Sequence, residues 1–169
     1  MTLSFDVLNF PDFRKYDLSS LKVIYTGGSR CPPEVVKGAM EKLGCQVVNA
    51  FGSGEGVHIT TRLGDPVEVV ANTVGKPCCD IDEIKIVNDY GKEVPMETEG
   101  ELIARGPHIF RGYYKNPEEN ARVLDKDGFF YTGDLGMLRK DGNIAITLSC
   151  TTCNIECKKI SRVSSRVVD

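Results

Sequence analysis

Residues 21–52 read LKVIYTGGSRCPPEVVKGAMEKLGCQVVNAFG. The first eight form a short β-branched run closed by two glycines, the pattern of a buried strand entering a tight turn. PPEVVKGAMEKLG (32–44) carries helix punctuation, with Pro at the start, Glu in the first turn and Gly at the end. Val35, Val36, Ala39, Met40 and Leu43 recur at helical spacing on one face. CQVVNAFG (45–52) is a second strand ending in glycine. Strand, helix and strand in this order predict a βαβ unit. A parallel sheet follows, because parallel strands need a crossover of about this length.

Downstream the texture changes. DEIKIVN (82–88) alternates polar and apolar residues, and DYGKEVP (89–95) supplies turn residues. GELIARG (100–106) and GNIAIT (142–147) alternate in the same way, the latter after the turn RKDG (139–142). Half-buried strands of this kind suit an antiparallel sheet or a small barrel. NPEENARVL (116–124) predicts a short helix with Asn, Pro and Glu at its start. The expected class is α/β: an α/β part over 1–75, a β-rich part over 76–147, and a tail over 148–169 with no clean period.

The chain has 169 residues, 41% hydrophobic and 27% charged, a globular composition long enough for a core. A net charge of −3 and the lack of a Lys/Arg run give no footprint for nucleic acid. No stretch reaches the apolar length of a membrane span, and MTLSFDVLNF lacks the zones of a signal peptide. A cytoplasmic location is the expectation. Seven cysteines do not form a disulfide framework, and free thiols in a reducing compartment are expected. Cys150, Cys153 and Cys157 crowd into the tail as three soft ligands, but a metal needs a fourth from elsewhere.

Three glycine-framed segments stand out: YTGGS (25–29), NAFGSGEG (49–56) and YTGDLG (131–136). Each reads as a turn closing a strand, and together they are expected to meet in one cleft. Ligands of parallel α/β sheets gather at the carboxyl ends of strands, where glycine lets amides approach a phosphate. An aromatic at 51 can stack on a base, a hydroxyl at 53 can bond a phosphate, and a carboxylate at 55 can hold Mg²⁺. Asp134, an acceptor with two oxygens, suits a pair of ribose hydroxyls. These residue types permit a nucleotide site but do not choose it over three ordinary turns, the commoner reading of any one such motif.

The order of YTGGS, FGSGE, GELIARGPHIFRGYYKNPE (100–118) and YTGDLG resembles the adenylate-forming family of acyl-CoA and aryl-CoA synthetases, luciferases and nonribosomal adenylation domains. The likeness runs over about residues 6–147. EGVHITTRLGDPVEVVANTVGKP (55–77), DEIKIV and RGPHIFRGYYKNPEEN resemble most closely the 2,3-dihydroxybenzoate–AMP ligases, with medium- and long-chain acyl-CoA synthetases next. The resemblance implies part of the large N-terminal domain of such an enzyme. It also implies a parent reaction in which a carboxylic acid and ATP give acyl-AMP, followed by transfer to CoA or a carrier-protein thiol.

Carried over by motif, Gly27, Gly28 and Ser29 would line the acid and adenine pockets. Asn49, Ala50, Phe51 and Gly52 would flank the adenine, and Ser53 would approach the α-phosphate. Glu55 would be the catalytic Mg²⁺ ligand, Val57 would border the acid substrate, and Asp134 would bind the ribose. Arg105 and Arg111 read as surface residues, Tyr113 and Tyr114 as packing residues. His58 reads as a hydrogen-bonded structural imidazole rather than a substrate contact.

The sequence departs from the family in two respects. The Ser/Thr/Gly/Lys phosphate loop and the C-terminal lysine domain have no counterpart, and after GNIAIT the chain reads LSCTTCNIECKK. It is therefore expected to be an incomplete catalyst on its own, the product of a truncated, frameshifted or split gene. The alternatives are a non-catalytic nucleotide- or acyl-binding module and one subunit of a split synthetase, completed by a partner chain or by self-association. A metal-binding adaptor built on the cysteine tail is a third reading.

Overall fold

The computed structural model describes residues 8–10, 12, 15–28 and 31–148. Ser29 and the tail cysteines lie outside these residues. The first sheet has the order β1-β2-β3-β4, formed by Val23–Gly27, Gln46–Gly52, His58–Thr60 and Lys76–Pro77. β1 and β2 are parallel, with Val23 opposite Gln46 and Gly27 opposite Ala50. Helix α1 (Pro33–Leu43) makes the expected crossover. It opens after Pro32 and stops at Gly44, whose φ of 65° is the left-handed turn that glycine adopts without a Cβ penalty. Val35, Val36, Ala39 and Leu43 are buried, and Met40 packs beside them. With Cys31, Cys45, Val47 and the Val70–Ala71 pair of α2 (Val67–Asn72) they form one apolar cluster.

β2 does not lead into a second crossover. Ser53 N–H donates to Val57 O, and the chain returns as antiparallel β3, with Phe51 opposite Ile59. β4 extends the same sheet, so the sheets divide after Pro77.

The second sheet is antiparallel, β5-β6-β7-β8, formed by Glu83–Val87, Gly100–Arg105, Phe130–Leu138 and Ile144–Leu148. It is an open sheet, not a barrel, among the described residues. Both of its faces carry buried side chains. Ile86, Leu102, Ala104 and Phe130 face a cluster with Val57 and Ile59 of the first sheet, while Val87, Ile103 and Tyr131 face the other way with Phe129. Side chains alternate between faces with period two, so β6 is buried on both. β8 runs through Leu148. The short helix α3 (Pro117–Val123) is capped by Asn116, whose Oδ1 accepts from Glu119 N–H at 3.2 Å.

The sheets are tied together at Gly75. Val74 N–H donates to Ile144 O at 2.8 Å, and Ile144 N–H to Gly75 O at 2.7 Å. Gly75 has φ +85°, and a Cβ there would fall 2.0 Å from Thr60 O. Only glycine allows the backbones to come so close.

The reading of YTGDLG as a turn needs correction, because it lies inside β7. Glu101 pairs with Leu135 but Ile103 with Tyr131, so β7 bulges between them. Gly133, at φ +78°, takes the unusual conformation. Side chains replace the missing ladder partners. Gly133 N–H donates to Glu101 Oε1 at 3.0 Å, Asp134 N–H donates to Thr132 Oγ1 at 3.0 Å, and that hydroxyl donates to Leu102 O at 2.8 Å.

Candidate functional site

Two hollows adjoin at the carboxyl ends of β1 and β2. The first, about 340 Å³, is lined by Tyr25, Gly27, Gly28, Ala50, Phe51, Gly52 and His58. The second, about 560 Å³, is lined by Gly52, Ser53, Gly54, Gly56, Val57 and His58 of the hairpin, with Cys78, Asp82 and His108. Gly52 and His58 belong to both. The structure thus brings Gly27, Gly28, Ala50, Phe51, Gly52, Ser53 and Val57 around one pair of cavities. A Cβ on Gly27 would stand 2.9 Å from Ala50 O, so the floor between the strands is bare backbone. Phe51 has a second duty, since its partly buried ring packs on the cluster that joins the sheets. Ser53 Oγ is buried and finds no hydrogen-bond partner among the described residues, a polar group whose desolvation a ligand would offset.

Asn49, Glu55 and Asp134 line neither hollow. Asn49 is buried, and its Nδ2 donates to Thr73 O at 2.9 Å and to Val70 O at 3.4 Å, satisfying carbonyls at the end of α2. Asp134 is buried in β7 of the second sheet.

Glu55 sits at the tip of the hairpin, held from the other half of the chain. Phe110 N–H donates to its carbonyl at 2.8 Å, and the Tyr113 hydroxyl to its Oε1 at 2.8 Å. Burial, and then the hydrogen bond to the Glu55 carboxylate, push the Tyr113 phenol up to about 12. The neighbouring Gly56 has φ +101° and lies so close to His108 O that a Cβ could not fit.

His58 is exposed and its Nε2 lies 2.9 Å from the Tyr25 hydroxyl, so the imidazole is hydrogen bonded and also borders both cavities. Burial raises the Tyr25 phenol above its ordinary value, aided by Cys78 and opposed by Arg62. Arg105 forms a half-exposed ion pair with Glu83 at 2.6 Å and lies over the Phe129 ring. Tyr113 packs edge-on against Phe110 with centroids 4.8 Å apart.

Tyr25 and Asp82 are wall residues that the sequence reading did not single out. Asp82, with a side chain 5% exposed, lies 3.2 Å from His108 Nδ1. With Cys79 they bring a sulfur, an oxygen and a nitrogen within 4.8 Å, the one such cluster among the described residues.

Glycine-lined cavities at the carboxyl ends of parallel strands define an α/β ligand-binding domain of the nucleotide type. The sequence profile of the AMP-binding enzyme family matches residues 3–114, and the chain belongs to that family. It is 41% identical over 133 residues to the 2,3-dihydroxybenzoate-AMP ligase of Bacillus subtilis (strain 168), spanning 79% of this chain and 25% of the relative. It is 42% identical over 128 residues to the salicyl-AMP ligase / salicyl-S-ArCP synthetase of Mycobacterium tuberculosis, spanning 76% and 23%. The chain therefore spans about a quarter of the length of these curated relatives.

Among solved structures, the amide bond synthetase McbA of Marinactinospora thermotolerans superposes with a TM-score of 0.77 at 30% identity, over 86% of this chain and 30% of that one. The anthranilate CoA ligase AuaEII in complex with anthranoyl-AMP gives 0.77 at 27% identity, over 88% and 28%. The fold is that of part of an adenylate-forming enzyme. No helix among the described residues is long and apolar enough to cross a membrane.

Proposed function

We propose that this chain is part of an enzyme that activates an aromatic carboxylic acid with ATP, giving acyl-AMP and pyrophosphate, and passes the acyl group to a thiol of CoA or a carrier protein. The observation that carries this reading is the pair of adjoining hollows at the ends of parallel β1 and β2. In it Gly27, Gly28, Ala50, Phe51 and Gly52 border the adenine and acid, and Ser53 turns its unpartnered hydroxyl to the α-phosphate. Val57 borders the acid, Ser29 and Asp134 are taken as nucleotide contacts from the family motifs, Asp134 accepting from the ribose, and Asn49, which lines neither hollow, supports the wall by bonding the end of α2.

The donor at 55 fits Mg²⁺, which is commonly held by one or two carboxylates together with substrate phosphates. Bound there, the ion would neutralise phosphate charge. The residues of this chain contribute position: glycines admit the nucleotide, Phe51 fixes the ring plane, and Glu55 holds the hairpin tip against segment 108–113. A partner chain or a second copy completing the site belongs to the same proposal.

The test is calorimetric titration of the full chain with a non-hydrolysable salicyl- or dihydroxybenzoyl-AMP analogue. Weak binding is expected, weakened about tenfold or more by Asp134→Ala, since hydrogen bonds to a charged group contribute about 1.5–3 kcal/mol. Circular dichroism checks that the variant is folded. Equal binding by both proteins removes Asp134 from the site. No binding by the wild type overturns the reading for this chain.

A further inference from the structure

One wall of the larger hollow, formed by Asp82 and His108, has no part in the nucleotide reading. Two tight turns meet there. In the first, Asp82 N–H donates to Cys79 O at 3.1 Å, which brings the two ends of the turn 79–82 together. In the second, Ile109 N–H donates to Gly106 O at 3.2 Å, which sets His108 beside the first turn. Gly106 lets the turns touch, because a Cβ there would collide with Asp82 Oδ1.

The Asp82 side chain is 5% exposed, yet among the described residues its carboxylate is bonded by the His108 ring alone. An ionised carboxylate has about four acceptor sites, so one ring N–H leaves this buried charge under-satisfied. The bond is also slack. His108 Nδ1 stands 3.3 Å from Oδ1 and 3.2 Å from Oδ2, against about 2.7–2.9 Å for a charge-assisted bond. Nitrogen and oxygen ligands of a tetrahedral zinc stand about 3.4 Å apart, given metal bonds of about 2.1 Å. The observed spacing is that of two ligands sharing one ion.

Cys79 Sγ completes the set, the three ligand atoms lying within 4.8 Å of one another. A sulfur on the same zinc belongs about 3.6 Å from the other two, so rotation about the Cys79 Cα–Cβ bond has about 1 Å to close. Cys79 and Asp82 also keep the short spacing at which zinc sites take two ligands from one turn.

We propose that Cys79, Asp82 and His108 form a zinc-binding site in the wall of the hollow, with water in the fourth position. A thiolate, an imidazole and a carboxylate together favour zinc over Mg²⁺, which takes oxygen ligands. On binding, the Cys79 thiol releases its proton to solvent and the three side chains replace waters of the hydrated ion, with no change of oxidation state. The ion would join the turn before β5 to the turn after β6. This site is separate from the Mg²⁺ carboxylate proposed at Glu55 and does not rest on it.

The experiment titrates zinc by calorimetry into the full chain carrying Cys150→Ser, Cys153→Ser and Cys157→Ser, so that the tail thiols cannot compete. A parallel titration with Co²⁺ reads the thiolate-to-metal absorption band. One zinc per chain and a thiolate band are expected. Cys79→Ser should abolish the band, and His108→Ala and Asp82→Asn should each weaken zinc by more than the about 10–100-fold that an outer-shell partner is worth. Cys78→Ser, which removes the neighbouring thiol, should change neither reading. Circular dichroism checks folding, and His108→Ala decides the matter if Asp82→Asn does not fold. Absence of zinc binding or of the band overturns the proposal. So does a band lost in Cys78→Ser and kept in Cys79→Ser, or an undiminished affinity in His108→Ala.

Discussion

Gly75→Ala isolates what the close backbone approach between Gly75 and Thr60 is worth. The residue has φ +85°, and an alanine in that left-handed region costs about 1–2 kcal/mol whatever surrounds it. The new Cβ would also stand 2.0 Å from Thr60 O, 2.2 Å from Thr60 C and 2.3 Å from Thr61 N, all backbone atoms that no rotamer change can move aside. Relieving them displaces the chain where Gly75 O accepts from Ile144 N–H and Val74 N–H donates to Ile144 O. Overpacking costs about 1–3 kcal/mol and each of the two weakened hydrogen bonds about 1, so with the conformational cost the full effect is about 4–7 kcal/mol. That is a large part of an ordinary stability of about 5–15 kcal/mol.

Gly64→Ala is the matched control. Its φ is +87°, yet nothing lies within 4 Å of the added carbon, so only the conformational cost of about 1–2 kcal/mol should appear. The chain lacks tryptophan, so urea unfolding is followed by far-ultraviolet circular dichroism. Equal losses for the two variants, within about 0.5 kcal/mol, would refute the close approach, because the uncertainty of additive comparisons is of that size.

Two further outcomes follow from burial. Burial raises the Cys31 and Cys45 thiols above their ordinary range, so at pH 8 both should alkylate more slowly than exposed Cys78, as read by peptide mass mapping; faster labelling of Cys31 than of Cys78 would contradict the packing around α1. Tyr113 is held neutral in the folded chain up to about 12 against 10.0 when exposed. Its contribution is therefore complete below pH 10 and is lost as pH rises toward 12. Thermal unfolding across that window should fall less steeply for Tyr113→Phe, and parallel slopes would count against the hydrogen bond to Glu55.

What the sequence revealed, and what it concealed, follows from the range of the interactions. The βαβ unit was legible because its signals are local: β-branched runs, Pro32 before α1, Gly44 after it, and Val35, Val36, Ala39 and Leu43 four-fifths of the expected face, all buried. β3 and α2 were missed. His58, Thr60 and Thr61 interrupt any apolar run, and α2 is too short at Val67–Asn72 to establish a period. YTGDLG was misread because glycines at 133 and 136 look like the end of a strand. What keeps the strand going is Glu101, whose carboxylate supplies Gly133 N–H with a partner from β6. No inspection of residues 131–136 alone could find it.

The same distinction separates the site residues. Gly27, Gly28, Phe51 and Ser53 come from strand ends that adjoin by virtue of the βαβ unit, and their convergence was implied by it. Glu55 differs, because its surroundings come from the far side of the second sheet's β6. His108 O crowds Gly56, Phe110 N–H binds the Glu55 carbonyl, and the Tyr113 hydroxyl binds its carboxylate. The tip of the first sheet's hairpin is thus shaped by the β6–α3 connection, and the two halves can meet there only if the sheets keep their relative placement. Gly75 is where that placement is fixed, through Thr60 on one side and Ile144 on the other. The divalent-cation binding proposed for Glu55 should accordingly be sensitive to the junction at Gly75, although Gly75 lines neither hollow.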